Sequence, residues 1–120
     1  MTARNASEAI KEELQRGDDD FALRTLITAI NDFRDLTDST DVQEFLRRPH
    51  PTGDRRRDTL LAAAVAQACR RRGVSAPKWS RRAPLESWWF PAGGGGLLAA
   101  RTMARTPSPE FVSPRIAEPL

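Results

Sequence analysis

One cysteine and one histidine occur in 120 residues, and no apolar run approaches the roughly twenty residues that span a bilayer. The single thiol, Cys69, excludes an internal disulfide and suits a reducing compartment. With His50 as the only imidazole, one chain cannot assemble a Cys/His zinc site. The polar N-terminus (Thr2, Arg4, Asn5, Ser7, Glu8) has no apolar signal-peptide region. These absences place the expected chain in the cytoplasm, in solution, away from membranes. No internal repeat is present. The glycine run at 93–96 lacks the lysine-serine/threonine ending of a phosphate loop and follows no strand, so it reads as a linker.

Catalysis needs a positioned acid, base, nucleophile or metal, and the inventory is thin. His50 stands between Pro49 and Pro51 and reads as a solvated side chain of a turn. Cys69, beside Ala68 on a helical apolar face, reads as a small buried hydrophobe. Asp18, Asp19 and Asp20 diverge in direction and lack the spaced pattern of a calcium loop. Helix capping explains them without a metal. No enzymatic activity, cofactor or metal is expected.

What is present is charge, unevenly placed. Hydrophobic residues make up 39% of the chain and charged residues 29%, enough for one modest core in one domain. Residues 1–50 carry 7 basic and 11 acidic side chains, a balance of −4; residues 51–120 carry 12 and 5, a balance of +7. An acidic front and a basic back imply either internal pairing or two surfaces for two partners. Arginine far outnumbers lysine, a bias that a GC-rich genome also produces.

Periodicity and caps predict helices. Asn5 with Glu8 suggests a capping pair opening a short helix to about Arg16, with Ile10 and Leu14 on one face and Gly17 ending it. The aspartates 18–20 open the strongest helix, in which Leu23, Leu26, Ile27, Ile30, Phe33 and Leu36 recur at three- and four-residue spacing. Thr40 with Gln43 suggests a short helix bearing Val42, Phe45 and Leu46, stopped by Pro49. After a turn through Gly53, Asp54 caps a long helix to about Arg72, closed by Gly73. Its apolar face is Leu61, Ala64, Val65 and Ala68, with Leu60 beside it. Residues 74–79 read as an extended packing segment, 84–90 as one helical turn and 97–105 as a weak last helix. The end holds Pro107, Pro109, Pro114 and Pro119 and reads as a tail.

Three basic runs remain: Arg55 to Arg57, Arg70 to Arg72, and Lys78 with Arg81 and Arg82. The second complements a helix C-terminus. The first opposes a helix dipole, so something must offset it: Asp54 and Asp58, acidic residues of the first half, or an anionic partner. Trp79, Trp88, Trp89, Phe90 and Phe111 either fold back over an alanine-rich core or anchor a partner, tryptophan and arginine being typical hot-spot residues. The candidate partner-binding residues are Arg55, Arg56, Arg57, Arg81, Arg82, Trp88 and Trp89.

Several segments together resemble a known group: GDDDFALRTLITAINDFRDL at 17–36, PTGDRRRDTLLAAAVAQA at 51–68, APKW at 76–79, WWFP at 88–91 and SPEF at 108–111. The combination resembles small actinobacterial helical proteins of poorly defined function, and the C-terminal halves of helix-turn-helix antitoxin-like regulators. It covers roughly residues 15–115. The resemblance implies a toxin-neutralising or regulatory role exercised by binding a partner protein, and it carries no functional residue over. An N-terminal helix-turn-helix is not evident here.

The expected architecture is all-α: an irregular bundle of about four helices with a Trp/Pro-containing segment packed across it and a flexible C-terminal tail. A single helical domain spans 1–106, with its core about 18–90, and a Pro-rich tail spans 107–120. The expected function is a non-catalytic protein-interaction module, antitoxin-like or regulatory. The alternative is a DNA-binding regulator that uses the arginine clusters. A homo-oligomer is compatible with either.

Overall fold

The computed structural model describes residues 1–86, Trp89, Glu110 and residues 114–116. It is all-α: four helices form an irregular bundle, with no strand among the described residues. They are α1 (Ala3–Gln15), α2 (Asp19–Asp35), α3 (Ser39–Phe45) and α4 (Arg55–Arg72), and a 3-10 turn follows at Lys78–Ser80. Trp88, Phe90, Phe111, the glycines at 93–96 and the helix expected at 97–105 lie outside the described residues.

Local signals set most boundaries. Asp18 caps α2 by accepting from Phe21 N at 3.0 Å, and Asp54 caps α4 by accepting from Arg56 N at 2.9 Å. Gly73 closes α4 in the left-handed conformation at φ 72°, where a Cβ is disfavoured. Two expected starts move. Helix α1 begins one turn before the Asn5/Glu8 pair, because Thr2 and Asn5 share the same three-residue spacing and form the box: Asn5 N donates to Thr2 Oγ1 at 3.1 Å and Thr2 N to Asn5 Oδ1 at 3.0 Å. Helix α3 begins at Ser39 because Asp38, not Thr40, is the cap, accepting from Thr40 N at 2.7 Å. Residues 84–86 are not helical either. Leu85 N and Trp89 N donate to the carbonyls of Pro114 and Arg115, each at 3.1 Å.

Cross-helix contacts fix the packing directions. Glu13 meets Thr25 and the N-terminal ammonium meets Asp32, so α1 and α2 form an antiparallel hairpin. Arg57 meets Asp19 while Arg72 meets the Phe33 carbonyl, so α2 and α4 run parallel. The segment through α3 and the Pro49–Gly53 turn returns the chain to the starting end.

Helix α4 is the centre. Its residues 59–65 are all buried, with Ala68 and Cys69, so it is enclosed on most sides. Its alanines let neighbours approach closely. The buried face of α2 is Ala22, Thr25, Leu26, Ala29 and Phe33. Leu23, Ile30 and Leu36 lie half-buried beside it, and Ile27 is 37% exposed. The stripe is thus rotated toward the small residues relative to the large-residue pattern. Close contact with α1 and α4 selects alanine where a long side chain would hold the helices apart.

One residue expected in the tail belongs to the core. Ile116 is fully buried, and it forms an isolated parallel bridge with Trp89. A single isoleucine among prolines and charges has no periodicity to announce its burial. The Trp-containing segment does pack across the bundle: Trp79 Nε1 donates to the Leu46 carbonyl at 2.8 Å, and Trp79 and Trp89 lie against the core.

The hairpin also buries a carboxylate. Glu13 is 6% exposed, and Thr25 Oγ1 lies 2.7 and 2.9 Å from its two oxygens. Thr25→Val keeps the shape and removes the donor, so it should destabilise the fold by about 1–3 kcal/mol in urea unfolding. Adding Glu13→Leu should recover part of that loss, because replacing both partners leaves no stranded acceptor. A double variant less stable than Thr25→Val alone would sink this account.

Candidate interaction surface

The N-terminal turn of α4 gathers four of the candidate residues. Asp54 accepts from Arg56 N, and Asp58, one turn on, accepts from Thr52 N at 2.8 Å, so two carboxylates pin the loop to the helix start. Arg55, exposed, reaches the Pro84 carbonyl at 3.4 Å. Arg56 Nε lies 3.7 Å from Asp54 Oδ1, and its Cζ stands 5.5 Å from the centroid of the Trp89 ring. Arg57 turns inward, with its Cζ 4.9 Å from the same centroid. Its Nη2 lies 3.8 Å from Asp19 Oδ1 at the start of α2. The unfavourable dipole position of these arginines is therefore offset by Asp54, Asp58, Asp19 and one indole face.

Arg81 and Arg82 stand elsewhere. Both are exposed and neither makes an ion pair among the described residues. They rim a cleft of about 420 Å³ whose floor is the small-residue face of α4, Ala62, Ala63 and Ala66. Glu110, bound to Arg70, closes one end. A second, smaller recess shares Arg82 and Ala62 and continues past Trp79 to Arg48 and His50. The two arginine clusters differ in their surroundings. One packs on Trp89, while the other lines an open cleft. Trp88 lies outside the described residues.

The arginines at 70–72 divide as well. Arg72 Nη1 donates to the Phe33 carbonyl at 2.7 Å, and its Cζ sits 5.1 Å from the Phe33 ring. It caps the C-terminus of α2 with a cation, across 39 residues of sequence. No local pattern shows that pairing. Arg70 chelates the Glu110 carboxylate through Nε and Nη2.

The charge asymmetry between the halves is consumed only slightly inside the fold. Among the described residues, Arg57–Asp19 is the one ion pair that joins residues 1–50 to residues 51–120.

Neither soft nucleophile sits in a reactive setting. Cys69 is fully buried; desolvation pushes its thiol up, and Arg72 nearby pulls it only partly back. His50 is exposed, 3.9 Å from a Glu8 oxygen. Among the described residues no group of three or more His, Cys, Asp and Glu is placed to hold a metal ion, and no helix is long and apolar enough to cross a membrane. No family model, curated protein or solved structure matches this chain.

Proposed function

We propose that the protein is a non-catalytic interaction module that binds an acidic surface of a partner protein along the α4 cleft. The observation that carries this reading is the pair Arg81 and Arg82, exposed and without ion pairs among the described residues, on the rim of an alanine-floored cleft. Guanidinium groups suit carboxylates at interfaces, and the small-residue floor admits an apolar or backbone contact between them. The resemblance to antitoxin-like regulators supports the specific form in which the partner is a toxin protein encoded beside this chain.

Co-expression with the product of the adjacent gene, followed by size-exclusion chromatography and calorimetry, tests this. Arg81→Glu and Arg82→Glu should each weaken the complex by about 2 kcal/mol, roughly thirtyfold in dissociation constant. Both side chains are exposed, so the thermal midpoint of the free protein should hold. Undiminished binding by the double variant would remove the cleft from the interface.

The second reading, a DNA-binding regulator, is favoured by the continuity of Arg81, Arg82, Arg48 and His50 around adjoining recesses. Titration with random duplex DNA at two salt concentrations separates the two. Phosphate contacts make binding fall steeply with salt, and a flat response at low ionic strength excludes this reading.

A further inference from the structure

Among the described residues, Arg57 alone has buried side-chain polar atoms without a hydrogen-bond partner. Its side chain is 9% exposed, and its Nε and Nη1 are buried with no hydrogen-bond partner. Native structures leave few such groups, and a stranded guanidinium is among the least favourable. The Trp89 indole attracts its charge but offers the Nε–H and Nη1–H no lone pair. The Asp19 carboxylate stands 3.8 Å from Nη2, beyond hydrogen-bond length.

Position sharpens the anomaly. Because α2 and α4 run parallel, the positive ends of two helix dipoles meet beside this guanidinium. Arg56 stands at the same indole, 5.5 Å from the ring centroid. Two arginines and two helix starts thus converge where the carboxylates of Asp18 and Asp54 are already committed to capping. Of the two neighbours of Arg57, Asp19 is the exposed one. The Asp19 side chain is 70% exposed, and the backbone of Trp89 donates one hydrogen bond, to the Arg115 carbonyl at 3.1 Å.

The geometry points to an oxyanion site: a phosphate or carboxylate group seats on Arg57 between the first turns of α2 and α4, with Arg56 beside it. Asp19 swings out and Trp89 shifts to admit it. Once Asp19 leaves Nη2, an anion can take Nη2 together with either Nε or Nη1 in the paired geometry arginine favours, and so supplies an acceptor to one of the two buried N–H groups. The site is independent of the α4 cleft and of any partner bound there.

Thermal unfolding of the full chain tests this with sodium phosphate and sodium acetate, each exchanged against sodium chloride at constant ionic strength, with tryptophan emission as a second readout. The expected result is a saturable rise of about 5 °C at ten times the dissociation constant. Saturation by phosphate alone identifies a phosphorylated ligand, and saturation by acetate identifies an acidic side chain. In Arg57→Met the anion response should vanish, while the anion-free midpoint does not fall, since two buried N–H groups without acceptors have been removed. Asp19→Asn, at an exposed position, keeps the site testable should that variant misfold. It should bind the anion about fivefold more tightly, the equivalent of one surface ion pair. No saturable response in the wild type, an equal response in Arg57→Met, or unchanged affinity in Asp19→Asn would overturn the assignment.

Discussion

Replacing Phe33 with alanine is expected to lower the free energy of unfolding by about 3–5 kcal/mol. A domain of this size is stable by about 5–15 kcal/mol, so the loss removes a large fraction of the total. Three contributions meet at this ring. It is fully buried at the end of the α2 stripe. It packs at 4.7 Å between centroids and 40° against Phe45, which joins α3 to the core. Its face also seats the Arg72 guanidinium, which caps the carbonyl of the same residue. Urea unfolding should show a lower midpoint with an unchanged slope, the mark of a stability change without a change in the denatured state. Phe33→Leu should lose much less, because it refills most of the volume. A loss below about 1 kcal/mol in Phe33→Ala would mean that α3 and the Arg72 cap do not converge on this ring.

Phe33 also marks how far the sequence could be read. Its burial was legible, as were the caps at Asp18 and Asp54 and the stops at Gly17 and Gly73, because each depends on residues within one helical turn. The seat of Arg72 on that ring was not legible, since it depends on α2 and α4 running parallel, which the connection through α3 decides. The same holds at the other end. Arg55 to Arg57 were visibly misplaced against a dipole, and the need for an offset was correctly posed by local electrostatics. That Arg57 turns inward beneath Trp89, 32 residues away, follows from packing alone. Alanine explains the remaining error. A stripe read by its largest members takes in Leu23, Ile27 and Ile30 and leaves out Ala22 and Ala29, which close helix packing buries.

Separating the arginines by environment gives their functions different physical bases. Arg72 and Arg57 are parts of the fold: one satisfies carbonyls, the other carries unsatisfied N–H groups into the interior. Arg81 and Arg82 are exposed and make no ion pair among the described residues, so their charge costs the fold little and can serve recognition. A charge reversal at 81 or 82 and a neutralisation at 57 should therefore act on different observables, association in the first case and anion-dependent stability in the second.

Ile116→Ala should cost about 2–5 kcal/mol, although the residue stands only four positions from the end of the sequence. Its side chain is fully buried, and its bridge to Trp89 is backed by the bonds from Leu85 N to Pro114 O and from Trp89 N to Arg115 O. Arg115 holds a left-handed φ of 63°, which aims Ile116 inward, and its Nη1 donates to the Glu86 carbonyl at 2.9 Å. This short pairing therefore draws Ile116 into the core and seats Trp89 over Arg56 and Arg57. Ile116→Asp, which buries an unpaired charge, should cost more than Ile116→Ala. Deleting residues 114–120 should cost at least as much as Ile116→Ala, with tryptophan emission shifted to the red as Trp89 loses its backbone partner. A midpoint unchanged by the deletion would show that residues 114–116 add nothing to stability and that Trp89 is held by the arginines of α4.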